Sequence, residues 1–263
     1  PWSDLSAEEQ RRYARAQEIY AGMVEHLDMS IARVVDYLDE SGQLENTVIV
    51  FTSDHGASSG EHGVRSSGVI PGGGPSMPDG KDNRLENFGR INSFVDHGRG
   101  FGEAATAPFR YVKGSLNEGG VRAAGFIHYP AEVAAGGITH AYMTMLDILP
   151  TFMEIAGTEH PGAGMFGGRE INDILGRSAW AHLTGQADSV HGDDYSVGWS
   201  NGRSGSLIRG DYKIINTRPP GEQGTTDWRL YNLVEDPGEH QNIAAEHPEM
   251  VAGMVAEWET NWR

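Results

Sequence analysis

The sequence predicts an α/β fold in which helices flank a mixed sheet and a small antiparallel α+β subdomain follows. Three observations carry this reading. A capped helical pattern runs straight into a short apolar strand, which is the order of half an α/β unit. A second apolar strand and another helical pattern come further along. Beyond about residue 195 the pattern changes to strands paired around Gly-Asp. With 263 residues there is enough chain for one large domain and a smaller one, and the expected division is 1–190 and 191–263.

Ser6-Ala7-Glu8-Glu9 fits a capping box, which starts a helix expected to reach about Asp39. Its apolar stripe is Ile19, Met23, Leu27, Ile31, Val34 and Leu38, spaced by three or four residues. Ser41-Gly42 ends it. Thr47 to Thr52 then reads as an apolar strand of the kind buried on both faces of a parallel sheet. The segment 56–107, with GVIPGGGPSMPDGKDNRLENFGR, has little periodicity and is expected to wall a cleft. Gly119-Gly120 reads as a turn, and Val121 to His128 as a strand stopped at Pro130. Met143 to Ile155 reads as a helix that Gly157 terminates. SGSLIRGDYKIINTR and WRLYNLVED read as an antiparallel pair, and a last helix runs from about Glu249 to Trp258.

Composition narrows the function. A formal charge of −17 disfavours nucleic acid as a partner, because phosphate contacts need clustered cations. Cysteine is absent, so this chain offers no disulfide, thiolate ligand or cysteine nucleophile. No apolar run approaches the roughly 20 residues of a membrane span. The N-terminus has no signal-peptide pattern and no initiator methionine, so the expectation is a fragment of a soluble protein of bacterial cytoplasm or periplasm. Nothing in the composition sets an oligomeric state.

The residues that could carry chemistry lie at loop positions. VIVFTSDHGASSGEHG places Asp54 and His55 where a strand breaks into glycine, beyond the carboxyl edge at which α/β sheets bind ligands. An adjacent oxygen and nitrogen donor suit a divalent cation, while an Asp that merely caps its turn is the competing reading. His62 could pair with His55 on zinc, although two histidines without a third ligand are a thin pattern. Lys113 and Arg122 flank Gly119-Gly120 and could form an anion cradle; an ordinary solvated lysine is the alternative. There is no nucleophile elbow and no phosphate-binding GxxxxGK[ST] loop.

The order of these pieces resembles the C-terminal portion of a type I sulfatase, of the arylsulfatase branch of the alkaline-phosphatase superfamily. The matching segments are YAGMVEHLDMSIARVVDYLDESGQLENTVIVFTSDHG, NRLENFGRINSF, ATAPFRYVKGSLNEGGVRAAGFIHYP, THAYMTMLDILPTFMEIAG, IRGDYKIINTRPP and WRLYNLVEDPGEHQNIA. The resemblance implies an alkaline-phosphatase-like fold and hydrolysis of small-molecule sulfate esters. It implies Asp54 and His55 as ligands of a divalent cation, commonly calcium. Histidine in the second position also occurs in relatives that cleave phosphonate monoesters and phosphodiesters with manganese, and imidazole suits such metals. That second reaction is the alternative. Lys113 matches the family lysine that binds sulfate near the leaving oxygen, and His62 is a candidate substrate contact, although Ala57 stands where the His-bearing pattern has Glu. Arg122 matches a structural arginine.

The family nucleophile is a formylglycine made in a C/S-x-P-x-R segment, and none occurs here. Ser76-Met77-Pro78 comes nearest but continues Asp-Gly-Lys. The implied reading is a fragment that carries part of the metal site and the sulfate-binding lysine, inactive by itself, with its nucleophile upstream. A non-enzymatic remnant that binds anions or a protein is the reading from a different class.

Overall fold

The computed structural model describes residues 1–61, 69–70, 80–201, 204–217 and 227–263. Helix α1, Ala7–Glu40, begins at the capping box: the Ser6 hydroxyl accepts the Glu9 N–H, and the Glu9 carboxylate accepts the Ser6 N–H. Only its first part is buried. Tyr13 and Ala16 pack with Leu5, Val95 and Phe101, while Met23, Leu27 and Val34 lie 51–65% exposed. Periodicity says which residues share a helix face; it does not say what covers that face. A long apolar face left open marks a surface made to meet another one.

Strand β1, Ile49–Thr52, follows a 3₁₀ turn. The elements after it are the short pair β2 (Val69–Ile70) and β3 (Lys81–Asp82), helices α2 (Arg99–Thr106) and α3 (Glu118–Val121), and strand β4 (Gly125–His128). Strand β1 pairs with β4 in antiparallel register, Phe51 opposite Phe126 with their rings stacked at 5.2 Å. This corrects the sequence-based reading of a strand buried within a parallel sheet: every residue of β1 is half-buried and its neighbour runs the other way. An apolar strand announces a capacity for burial, but strand direction is set by topology. Two further departures are local. The strand expected from Val121 starts only at Gly125, because residues 118–121 wind into α3, and α2 arises inside the segment read as an aperiodic loop.

Helix α4, Ile148–Ile155, is preceded by a 3₁₀ turn over Met145–Asp147 and ends at Gly157, whose φ of +63° is the left-handed stop that glycine supplies. A hairpin, β5 (Gly164–Phe166) with β6 (Arg169–Ile171), and the short helix α5 (Trp180–Leu183) lead into the final sheet.

That sheet has four antiparallel strands: β7 (Ser196–Ser200), β8 (Gly205–Arg209), β9 (Tyr212–Ile215) and β10 (Arg229–Asn232), in the order β10-β9-β8-β7. Strand alternation gives its two faces different tasks. One face sends Leu207, Ile214 and Leu230 against Met254 and Trp258 of helix α6, Pro248–Asn261. The other sends Lys213, Ile215 and Tyr231 toward the loop before α3, where Leu116 seats against Ile215 and Tyr231. The sheet is thus a two-sided clamp, with a helix on one face and a loop on the other.

Ile214 and Leu230 are fully buried, so Ile214→Ala or Leu230→Ala is expected to cost about 2–5 kcal/mol in denaturant unfolding. Leu175→Ala, at a position 68% exposed, should stay within about 0.5 kcal/mol of the parent.

Candidate active site

The ladder between β1 and β4 continues one step past Thr52, where the Ser53 N–H donates to the Ala124 carbonyl at 3.1 Å. Asp54 and His55 come next, held at the strand end. The Gly56 N–H donates to the Gly120 carbonyl at 3.0 Å, and the Ser53 hydroxyl donates to the His55 carbonyl at 2.8 Å. His55 Nδ1 lies 2.8 Å from the Gly56 carbonyl, so the tautomer protonated there leaves Nε2 free to accept. Nε2 stands 3.2 Å from Asp54 Oδ2. The Asp54 side chain is 82% exposed and that of His55 36%. One oxygen and one nitrogen donor at this separation fit adjacent positions around a divalent cation. Among the described residues no group of three His, Asp or Glu side chains forms a fuller ligand set. His62, the other predicted histidine, lies outside the described residues.

Lys113 is brought to this strand end by main chain. Its N–H donates to the Ala57 carbonyl at 2.9 Å, two residues past His55. The loop can approach because three glycines meet there. A Cβ on Gly56 would lie 1.8 Å from the Gly119 carbonyl oxygen, one on Gly119 2.2 Å from that of Tyr111, and one on Gly120 2.1 Å from that of Ser115. Backbone packs directly on backbone, and no side chain fits between. The Lys113 side chain is exposed, and none of the described carboxylates forms an ion pair with it. Arg122 does not join it as a second free cation, which corrects the two-cation cradle. Its guanidinium lies 4.6 Å over the Phe109 ring and 3.7 Å from Glu118 Oε2.

Behind the loop sits a cluster that sequence reasoning missed. Lys213 Nζ, fully buried, lies 2.8 Å from Glu118 Oε1 and 3.1 Å from Glu239 Oε1. Glu239 Oε2 accepts the Glu118 N–H at 2.8 Å and the Asn117 side-chain amide at 3.0 Å. A lysine inside the apolar run YKII was the readable signal, since a charge at an inward-facing strand position needs a partner. A second buried pair, His191 Nε2 and Asp147 Oδ2 at 3.0 Å, lies under Tyr195, whose ring stacks on His191. Tyr142 adjoins both groups. Burial, then the neighbouring Tyr195, Glu118 and Asp147, push its phenol well above the usual range, so it stays neutral.

Comparison with known proteins fixes the family. The family model described as Sulfatase matches residues 4–158, more than half of the chain. The chain belongs to the sulfatase family. It is 38% identical over 257 residues to an uncharacterised sulfatase of Schizosaccharomyces pombe, a match that covers 98% of this chain and 45% of that relative. It is 30% identical over 159 residues to an arylsulfatase of Klebsiella aerogenes, covering 60% of this chain and 33% of the other. Among solved structures, a sulfatase from Pseudoalteromonas superposes with a TM-score of 0.56 at 24% identity, over 91% of this chain and 41% of that one. The sulfatase chain thus has the alkaline-phosphatase-like α/β fold and spans less than half the length of these relatives. Among the described residues, none of its helices is long and apolar enough to cross a membrane.

Gly56→Ala in this sulfatase chain should force the strand end away from Gly119 and cost about 1–3 kcal/mol or more in denaturant unfolding. Gly137→Ala, where an added Cβ meets nothing within 4 Å, is the control expected to stay within about 0.5 kcal/mol.

Proposed function

We propose that this chain is the metal- and sulfate-binding part of an arylsulfatase-like enzyme that hydrolyses sulfate monoesters to an alcohol or phenol and sulfate. The observation that supports the reading is the hydrogen bond from the Lys113 main-chain N–H to the Ala57 carbonyl, which ties the loop carrying this exposed lysine to the strand end that carries Asp54 and His55. Asp54 and Lys113 are exposed and His55 is half-buried, so solvent and a small solute can reach all three side chains. Membership of the sulfatase family supports the same reading.

Asp54 and His55 would hold a divalent cation, calcium by family resemblance, with manganese compatible with the imidazole. Such a cation, when bound, draws electron density from a sulfate oxygen and strengthens the sulfur electrophile. Lys113 would bind the sulfate and neutralise charge that builds on the leaving oxygen, an effect largest in a site shielded from water. The hydrogen bond from His55 Nδ1 to the Gly56 carbonyl orients the ring, so that Nε2 is the nitrogen on the Asp54 side that would meet the cation. The nucleophile belongs, on this reading, to a formylglycine upstream of Pro1, since the chain has neither cysteine nor a C/S-x-P-x-R segment. The open apolar stripe of α1, with Met23, Leu27 and Val34, is the surface such an upstream portion would cover.

The test uses the full-length protein on an aryl sulfate, with and without a chelator. Turnover is expected, and the chelator should abolish it until excess calcium or manganese restores it. Lys113→Ala should lower kcat/KM by about 10²–10³-fold. Indifference to the chelator would remove Asp54 and His55 from the metal role. Cleavage of an aryl phosphodiester with no turnover of the sulfate would transfer the protein to the phosphonate and phosphodiester hydrolases, the reading that His55 favours.

A further inference from the structure

We propose that Lys213 and Glu239, from the C-terminal sheet and the turn after it, are positioning residues that hold Lys113 at the strand end. The proposal rests on the reading of Lys113 as the sulfate-binding cation. Neither residue approaches the reacting atoms in this scheme; both act through the loop.

The residues that bracket Lys113 converge on one distant residue, Glu239. Before it, Arg110 Nη1 donates to the Glu239 carbonyl at 2.9 Å. After it, the Glu118 N–H and the Asn117 amide both donate to Glu239 Oε2. Asn117 Oδ1 in turn accepts the Ser115 hydroxyl at 2.9 Å, which reaches to within two residues of Lys113. Lys213 closes the set by bridging Glu118 and Glu239, and all three side chains are almost wholly buried. Glu239 has φ of +55°, a left-handed conformation that costs a residue bearing a Cβ and persists only when its surroundings hold it there. The donors aimed at its carboxylate and carbonyl supply that hold.

What this anchor locates is specific. The loop from 110 to 120 meets the β1 end through Lys113 N–H to Ala57, and through Gly119 and Gly120 against Gly56. It meets the sheet through Leu116 and the ion cluster. A slackened sheet contact therefore displaces the ammonium relative to Asp54 and His55, and displacements near 1 Å are enough to lose turnover.

The experiment is a double-mutant cycle in the full-length enzyme, on whichever of an aryl sulfate or an aryl phosphodiester it turns over faster. The single variants are Lys213→Met and Lys113→Ala, and the readouts are kcat/KM and inhibition by inorganic sulfate. Lys213→Met is expected to lower kcat/KM about tenfold or more and to weaken sulfate inhibition. In the Lys113→Ala background the same change should alter kcat/KM by less than about twofold, because the group it positions is gone. Equal losses in both backgrounds would overturn the proposal and leave Lys213 a stability residue. If Lys213→Met does not fold, Glu118→Gln, which keeps the Lys213 hydrogen bond but removes one charge, runs the same cycle with the same two outcomes. If Lys113→Ala alone leaves both readouts unchanged, Lys113 is not in the site and the underlying functional reading fails, an outcome separate from additivity.

Discussion

Moving an ammonium out of water costs several kcal/mol unless carboxylates and further hydrogen bonds surround it in good geometry. Lys213 meets that condition with Glu118 on one side and Glu239 on the other. Two carboxylates around one cation leave an excess negative charge, which a main-chain N–H, the Asn117 amide and the nearby Arg122 offset. Loss of any one member strands the others, at a typical cost of about 3–5 kcal/mol for breaking a buried pair. The rest of the arrangement follows from this cluster. It fastens the loop before α3 to the C-terminal sheet, and that loop carries the three glycine contacts and the lysine to the end of β1.

The division of labour along the sheet explains how the C-terminal strands reach the loop that meets the end of β1. Residues 213 and 215 of β9 face the loop, and residue 214 faces α6. Period-two alternation lets four residues serve an apolar core and a charged clamp at once. Ile215 and Tyr231 also shield the ion cluster from water, which strengthens its attractions relative to an exposed pair.

Much of this was legible in the sequence, because local signals agreed with the final structure. The capping box at Ser6, the glycine stop at Gly157 and the α/β order are all written in neighbouring residues. The positions of Asp54, His55 and Lys113 at loop starts were legible for the same reason. The antiparallel direction of β1 was not, since an apolar strand looks the same whichever way its neighbour runs. Glu239 and Lys213 were hidden too: 121 residues separate Glu118 from Glu239, and no spacing rule links partners that only the fold brings together. Helix α2 escaped because its eight residues include two glycines, which weaken any helical pattern.

The glycine contact between Gly56 and Gly119-Gly120 sets a boundary for anyone redesigning the end of β1. Exposed positions near the strand end that take no part in the site or the ion cluster, such as Ser58, can be exchanged because their side chains open outward. The three α-carbons cannot, since the surface on either side of them is peptide bond and has nothing to trim. A combinatorial library over this region will return its tolerated diversity from such exposed positions, with those three letters unchanged.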